Sequence, residues 1–177
     1  PPGRSVAGAI RLEASLVRAA AAEGVPVPRV DWCCDDASVM GAPFYAMERI
    51  DGEAIPRRLL RDERYAEARR VMTEQLGAIL ARVHRIDPDS PALEGHLPRP
   101  PEGVPTAVGD VNRVAEGCRA FAIEPHPVLD LAERWLHAHA PAPRPDGFVH
   151  GDYRVGNVMF DEKGTRAVLD LSLIHIC

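Results

Sequence analysis

The stretch His150-Gly151-Asp152-Tyr153-Arg154-Val155-Gly156-Asn157-Val158-Met159-Phe160, continued through Asp161-Glu162-Lys163-Gly164 to Val168-Leu169-Asp170, decides how this chain reads. Asn157 comes five residues after Asp152, and Asp170 thirteen after Asn157. The four-residue turn Asp161–Gly164 separates two short apolar runs, Asn157–Phe160 and Arg166–Leu169, which is the pattern of a β-hairpin. Asp152 lies in the polar loop before it, Asn157 opens the first strand, and Asp170 ends the second. A tight hairpin brings its two open ends together, so Asn157 and Asp170 are expected side by side. An amide oxygen next to a carboxylate is a hard-oxygen pair suited to Mg²⁺, which keeps other positions for water and phosphate. Asp152, one loop away, is placed to accept a hydroxyl proton. Each of the three residues alone would be an ordinary turn residue; their joint spacing on one hairpin is the informative feature.

Upstream, the elements are segregated. Ser5–Glu23 is Ala-rich with Val6, Ile10, Val17 and Ala20 near one helical stripe, and Gly24, Pro26 and Pro28 stop it. The runs Arg29–Cys34 and Pro43–Ile50, joined by residues 35–41, form a hairpin with a longer loop. The clearest helix is Asp62–Ile86, where Met72, Leu76, Ile79, Leu80 and Val83 recur every three or four residues. Residues 87–105 are a proline-rich loop, helices are expected at 107–122 and 127–139, and Pro141–Gly147 is a stiff connector. Helix, hairpin, several helices and a final hairpin make an α+β chain rather than a βαβ alternation.

Composition narrows the function. The chain has 177 residues, a net charge of −5 and an apolar share of 46%, which suits a globular protein. The arginines at 57, 58, 61, 64, 69 and 70 are interleaved with Asp62, Glu63 and Glu67, so they form a solvated face and not a nucleic-acid track. No run approaches the ~18 apolar residues of a membrane span. Cys33, Cys34, Cys118 and Cys177 have no metal-site spacing and read as reduced cytoplasmic thiols. His137 and His139 are two apart on a helix and make a poor metal pair.

The order H-x-D-x-x-x-x-N followed by an acidic residue after a hairpin is the phosphoryl-transfer pattern of kinases. On His150–Phe160 with Val168-Leu169-Asp170, Pro43–Gly52, Gly24–Pro28 and Leu80–Asp87, the sequence resembles the aminoglycoside phosphotransferase family, the small-molecule branch of the protein-kinase-like fold. Gly151, where protein kinases carry Arg, favours that branch. The resemblance implies a two-lobed fold, with residues 1–52 in the smaller lobe and a hinge at about 47–52, and residues 53–170 in the larger lobe. It implies transfer of a phosphate from ATP or GTP, with Mg²⁺, to a hydroxyl of a small molecule, without nucleic-acid or membrane partners. It gives Asp152 the role of base and Asn157 and Asp170 the role of metal ligands. Glu13 resembles the helix glutamate that pairs with a strand lysine. Met47, Glu48 and Ile50 resemble the hinge that meets adenine, and Arg154 stands where serine kinases place a phosphate-contacting lysine.

The chain also departs from the family. The only lysine is Lys163, in the far hairpin, so Glu13 has no visible lysine partner, and no Gly-rich phosphate-covering hairpin precedes it. After Asp170 the chain runs Leu171-Ser172-Leu173-Ile174-His175-Ile176-Cys177 in place of the expected acidic and helical region. The expectation is therefore an internal fragment with an atypical, foreign tail at 171–177, inactive on its own and exposing core-facing apolar surface. The competing expectation is a pseudokinase-like nucleotide-binding or regulatory module without turnover.

Overall fold

The computed structural model describes residues 6–93, 97, 99–143, 147–171 and 175–176. The described residues form a mixed helix and strand structure in the order α1 (Val6–Ala22), β1 (Val30–Cys34), α2 (Ala37–Met40), β2 (Phe44–Met47), α3 (Pro56–Arg61), α4 (Ala66–Val83), α5 (Thr106–Phe121), α6 (Pro127–Ala138), β3 (Phe148–Val149), β4 (Val158–Asp161), β5 (Gly164–Val168) and β6 (His175–Ile176). Short 3-10 turns occupy Glu63–Tyr65 and Val155–Asn157. The expected tail at 171–177 lies outside the described residues apart from Leu171, which is buried, and the backbone of β6.

The chain divides into two compact units, Pro1–Leu97 with Gly147–His175, and Pro98–Asp146 with Ile176–Cys177. The first holds two buried clusters. One gathers Leu12, Leu16, Val17 and Ala20 of α1, Ile79 and Val83 of α4, and Phe148, Val168 and Leu171. The other gathers Leu59, Tyr65, Ala68, Met72, Val158 and Phe160. Helix α4 runs through both: its first half feeds the second cluster and its last turns feed the first. The hairpin β4–β5 does the same, with Val158 and Phe160 in one cluster and Val168 in the other. The ends of that hairpin are therefore anchored twice, and close packing of this kind holds side chains in fixed rotamers.

Several expectations shift in detail. The buried residues of α1 are Leu12, Ala14, Leu16, Val17 and Ala20: Val17 and Ala20 belong to the expected stripe, Ile10 is only partly buried, and Leu12 and Leu16 were not part of it, because an Ala-rich helix gives a weak periodic signal and packing chooses its face. The Asp62–Ile86 helix starts later: Asp62 ends α3 and its carboxylate accepts from the Arg64 N–H, capping the 3-10 turn that precedes α4. The loop between β1 and β2 contains α2, capped by Asp36 through the Ser38 N–H and closed by Gly41. The arginine-rich face is solvated and paired, with Arg58 on Glu53, Arg64 on Glu162 and Arg70 on Glu67.

Strands β1 and β2 are antiparallel with Val30 opposite Met47 and Cys34 opposite Phe44. Strands β4 and β5 pair Val158 with Val168 and Asp161 with Gly164, with a register irregularity between Met159 and Phe160. Glu53 joins this hairpin from outside: its N–H donates to the Phe160 carbonyl at 2.8 Å and its carbonyl accepts from the Phe160 N–H at 2.9 Å. The segment just after β2 is thereby fastened to the strand that follows Asn157. Gly52 makes the approach possible, since a Cβ there would stand 2.9 Å from the Phe160 carbonyl oxygen. Backbone cannot rotate aside as a side chain can, so Gly52→Ala is expected to destabilise the protein by about 1–3 kcal/mol. A thermal or urea melt of the full-length variant measures it, and an unchanged midpoint would show that the bridge yields freely.

The second unit is built on α5 and α6, with Arg119 on Glu133 at 2.7 Å. Neither helix buries a residue, and Phe121, Ile123, Val128, Leu131 and Trp135 are exposed. No helix among the described residues is long and apolar enough to cross a membrane.

Candidate phosphotransfer site

Asp152 sits in the loop between β3 and the 3-10 turn Val155–Asn157. One oxygen, Oδ2, accepts two hydrogen bonds: from Arg154 Nε at 2.8 Å and from Asn157 Nδ2 at 2.9 Å. Asn157 Nδ2 also donates to the Asp152 carbonyl at 3.0 Å. Two donors on one carboxylate favour its charged form. The Arg154 hydrogen bond above all, then the Asn157 amide and the positive charge of Arg154, hold Asp152 below the usual carboxylate range. Gly156 leaves space for Arg154, because a Cβ there would stand 2.5 Å from Nη1.

Asn157 is buried and closes the 3-10 turn, one residue before β4, rather than opening the strand as the hairpin pattern suggested. Its backbone carbonyl accepts from the Leu169 N–H at 2.8 Å. Asp170 is the next residue along the chain from that bond. Asp170 is exposed and has φ 57°, the only non-glycine residue with positive φ among those described. Asp tolerates this left-handed conformation better than most residues, and strained backbone of this kind gathers at functional sites. Val168 and Leu171, both buried, fix the backbone on either side of it.

The donor set fits a hard cation. The amide nitrogen of Asn157 is committed to Asp152, which leaves Oδ1 as the acceptor of that side chain, with the Asp170 carboxylate at the adjoining strand end. No group of three or more His, Cys, Asp or Glu able to hold a metal occurs among the described residues. One amide and one carboxylate are the sparse protein contribution typical of Mg²⁺ bound together with a phosphate.

His150 is buried; its Nδ1 accepts from the Asp152 N–H at 3.4 Å, and its ring meets Tyr153 edge-on with centroids 5.3 Å apart. Its Nε2 is buried without a hydrogen-bond partner among the described residues. This supports a histidine that shapes the loop rather than one that moves protons. Tyr153 donates to the Leu76 carbonyl of α4 at 2.9 Å, tying the loop to the helix, and burial pushes its hydroxyl up to about 12.

Glu13 lies half-buried on α1 and receives the Tyr45 hydroxyl of β2 at 3.0 Å. Sequence reasoning missed Tyr45; the available signal was a tyrosine in a half-buried strand, whose hydroxyl needs a partner. Met47 ends β2, and Glu48 just beyond it is engaged with Arg29: its N–H donates to the Arg29 carbonyl at 2.8 Å. Ile50 is partly buried in the segment leading to Gly52.

A family model described as "Phosphotransferase enzyme family" matches residues 1–176. Among solved structures, the chain is similar to a candidate aminoglycoside phosphotransferase from Ralstonia eutropha JMP134, at 29% identity and a TM-score of 0.76, covering 96% of this chain and 51% of that one. It is also similar in fold to a macrolide 2'-phosphotransferase type I, at 20% identity and a TM-score of 0.59 over 99% of this chain and 57% of that one. The fold is thus the protein-kinase-like α+β fold of the aminoglycoside phosphotransferases, and the chain spans about half the length of these structures. Curated relatives include acyl-CoA dehydrogenase family member 11 of Rattus norvegicus, 30% identical over 98% of this chain and 22% of that protein. Family member 10 of Mus musculus is 29% identical over 94% of this chain and 15% of that protein. The chain spans less than a quarter of either relative.

Proposed function

Because the chain belongs to the phosphotransferase enzyme family, we propose that it carries the catalytic loop of an enzyme that moves the γ-phosphate of ATP or GTP to a hydroxyl of a small molecule. The observation that carries this reading is the Asp152–Asn157 pairing at the open end of a hairpin that also delivers Asp170. Residues 1–52 are read as part of the smaller lobe with its hinge at 47–52, and 53–170 as part of the larger one. We read the reaction as cytoplasmic, in keeping with the free thiols of Cys33, Cys34 and Cys118.

In the reaction, the acceptor oxygen attacks the γ-phosphorus in line with the bridging oxygen of the leaving nucleoside diphosphate. The new O–P bond forms as the bridging O–P bond breaks, and the acceptor's proton passes to an Asp152 carboxylate oxygen and then to solvent. Arg154, bonded to Asp152 here, would turn to phosphate charge when the nucleotide binds. Asn157 Oδ1 and Asp170 would hold Mg²⁺, which neutralises triphosphate charge when bound. Met47, Glu48 and Ile50 would present backbone groups to the base, and Glu13 would face the phosphates from α1.

The direct test is nucleotide-dependent phosphate transfer by the full-length protein, with γ-labelled ATP and GTP and a panel of hydroxyl acceptors. Label that appears only as free phosphate, with none on any acceptor, would overturn the reading. A binding-only module would show stabilisation by Mg²⁺–ATP with no transfer.

The lowered proton affinity of Asp152 gives a pH prediction. A base held below the ordinary carboxylate range is ionised at neutral pH and is lost only as pH falls through its folded value. The acid limb of kcat/KM is therefore expected below the usual carboxylate range. Arg154→Ala removes the largest cause and should move that limb upward. A pH–rate profile of the two proteins checks it; an unmoved limb would separate Asp152 from the limiting ionisation.

A further inference from the structure

The stretch read as facing the nucleotide base hangs between two fixed points. Upstream, the Glu48 N–H donates to the Arg29 carbonyl at 2.8 Å, just beyond the end of the β1–β2 pair. Downstream, Glu53 exchanges two backbone bonds with Phe160 of β4, at 2.8 and 2.9 Å. The residues between, Arg49 to Gly52, belong to no helix or strand, and all but Ile50 are exposed. The downstream point is the firmer one. Besides its backbone bonds, Glu53 holds the start of α3: Oε1 accepts from the Ala54 and Ile55 N–H groups at 2.9 and 3.0 Å, and Oε2 accepts from Arg58 Nη1 at 2.5 Å. Leu59 of the same helix is buried in one cluster with Phe160, and Tyr65 meets the Phe160 ring edge-on with centroids 5.1 Å apart. Backbone, side chain and core thus close a ring around Phe160. The β4–β5 register breaks between Met159 and Phe160, beside the residue that Glu53 engages. Irregularities of this kind gather next to functional sites, where they re-aim a strand. Three residues before Phe160 stands Asn157, whose amide is fixed by Asp152. All of these groups belong to one compact unit.

A nucleoside triphosphate engages both stretches at once: its base meets residues before Gly52, and its metal-bound phosphates meet the Asn157 end of β4. Resting on the phosphotransfer reading above, we propose that the Gly52–Glu53 bridge to Phe160 sets the spacing between these two halves of the nucleotide site, with Glu53 as the positioning residue. Neither residue needs to touch the nucleotide. The bridge acts on the ligand as a whole, because linked groups gain from each other only when both can be seated together. Gly52 lets the bridge close at its present length, since a Cβ there would stand 2.9 Å from the Phe160 carbonyl oxygen. Glu53 keeps it closed, since its carboxylate ties the same residue to α3. A bridge forced wider would leave the base stretch and the metal stretch each intact but out of step with one another.

Dissociation constants of the full-length protein for Mg²⁺–ATP, for adenosine and for Mg²⁺–tripolyphosphate test this. In Gly52→Ala the constant for Mg²⁺–ATP should rise by about tenfold, part of the ~10²-fold that a misplacement of about 1 Å can cost. Those for adenosine and tripolyphosphate should each change by less than about twofold, because each needs only one stretch. Glu53→Ala, which releases the start of α3, should act in the same direction by about threefold, and Glu53→Gln should restore most of that loss, since its amide oxygen still accepts from Ala54 and Ile55. A purely structural role would lower the melting midpoint and weaken all three probes together or none of them. Either result would overturn the proposal, as would a wild-type protein that holds ATP but neither of its parts. If Gly52→Ala fails to fold, Glu53→Ala and its rescue by Glu53→Gln carry the test. The phosphotransfer reading is decided separately, by transfer itself. Binding of Mg²⁺–ATP without transfer to any acceptor defeats that reading, while the three probes still decide the spacing. Transfer by the wild type with unchanged binding in Gly52→Ala defeats only the present proposal. A wild-type protein that does not bind Mg²⁺–ATP would defeat both.

Discussion

Asp152→Ala in the full-length protein is expected to lower turnover by about 10²–10⁴-fold, the range for removing a positioned proton acceptor. The KM for nucleotide should move far less, because Asp152 is bonded to Arg154 and Asn157 and not to the hinge segment. The loss has two sources. The acceptor hydroxyl no longer has a carboxylate to orient it and take its proton. In addition, Arg154 Nε and Asn157 Nδ2 lose their shared carboxylate, and the Asn157 amide, whose Oδ1 is proposed to face Mg²⁺, is left with the Asp152 carbonyl alone. Asp152→Asn separates these sources. It keeps one oxygen for the two donors but cannot take up the proton, so turnover should still fall while Mg²⁺ dependence stays near wild type. Equal turnover in both variants and the wild type would remove Asp152 from the reaction. A fall in Mg²⁺ affinity in the alanine variant alone would confirm that the carboxylate also orders Asn157.

The contrast between what the sequence disclosed and what it hid follows from the range of the interactions involved. The hairpin carrying Asn157 and Asp170 was legible because a turn signal and two short apolar runs are local, and strand pairing then dictates which residues meet. Helix α4 was legible because Met72, Ile79 and Val83 repeat at helical spacing, but its start was not. Asp62 serves as the end of α3 and the cap of a 3-10 turn at once, and a six-residue helix such as α3 is too short to show a period. The face of α1 was legible only in part, at Val17 and Ala20 but not at Leu12 and Leu16, because alanine buries equally well on any side. Tyr45 and Glu53 were invisible for a different reason. Tyr45 meets Glu13 at a separation of 32 residues, and Glu53 bridges to Phe160, so nothing in either local pattern announces the partner. The functional consequence is that the motif residues could be named from sequence, while the contacts that place them required the fold. Arg154 illustrates both halves: its position in the motif was visible, and its bond to Asp152, which holds the proposed base ionised, was not.

Asp170→Asn is the second substitution with a large expected effect, and its backbone makes it an unusually clean one. Asp170 has φ 57°, and asparagine adopts that conformation as readily as aspartate, so the exchange removes a charge without straining the chain. Val168 and Leu171 on either side remain packed, and the melting midpoint should therefore change little. Turnover, in contrast, should fall by about 10³-fold, the several kcal/mol that a metal ion contributes to stabilising phosphate charge, and the concentration of Mg²⁺ needed for half-activity should rise. The charge has two further neighbours that report on it. Tyr45 is pushed up to about 12 by burial first and then by Glu13 and Asp170, so losing Asp170 should lower the pH at which its phenolate absorbance appears. Arg154 loses one of the charges that favour its protonated form, though Asp152 remains beside it. Asp170→Ala should be worse than Asp170→Asn in stability, since alanine tolerates the left-handed conformation less well, yet no worse in turnover. An Asp170→Asn protein that keeps its turnover and its Mg²⁺ requirement would show that the cation is held elsewhere, and the Leu169–Asn157 bond that precedes Asp170 would then be a matter of folding alone.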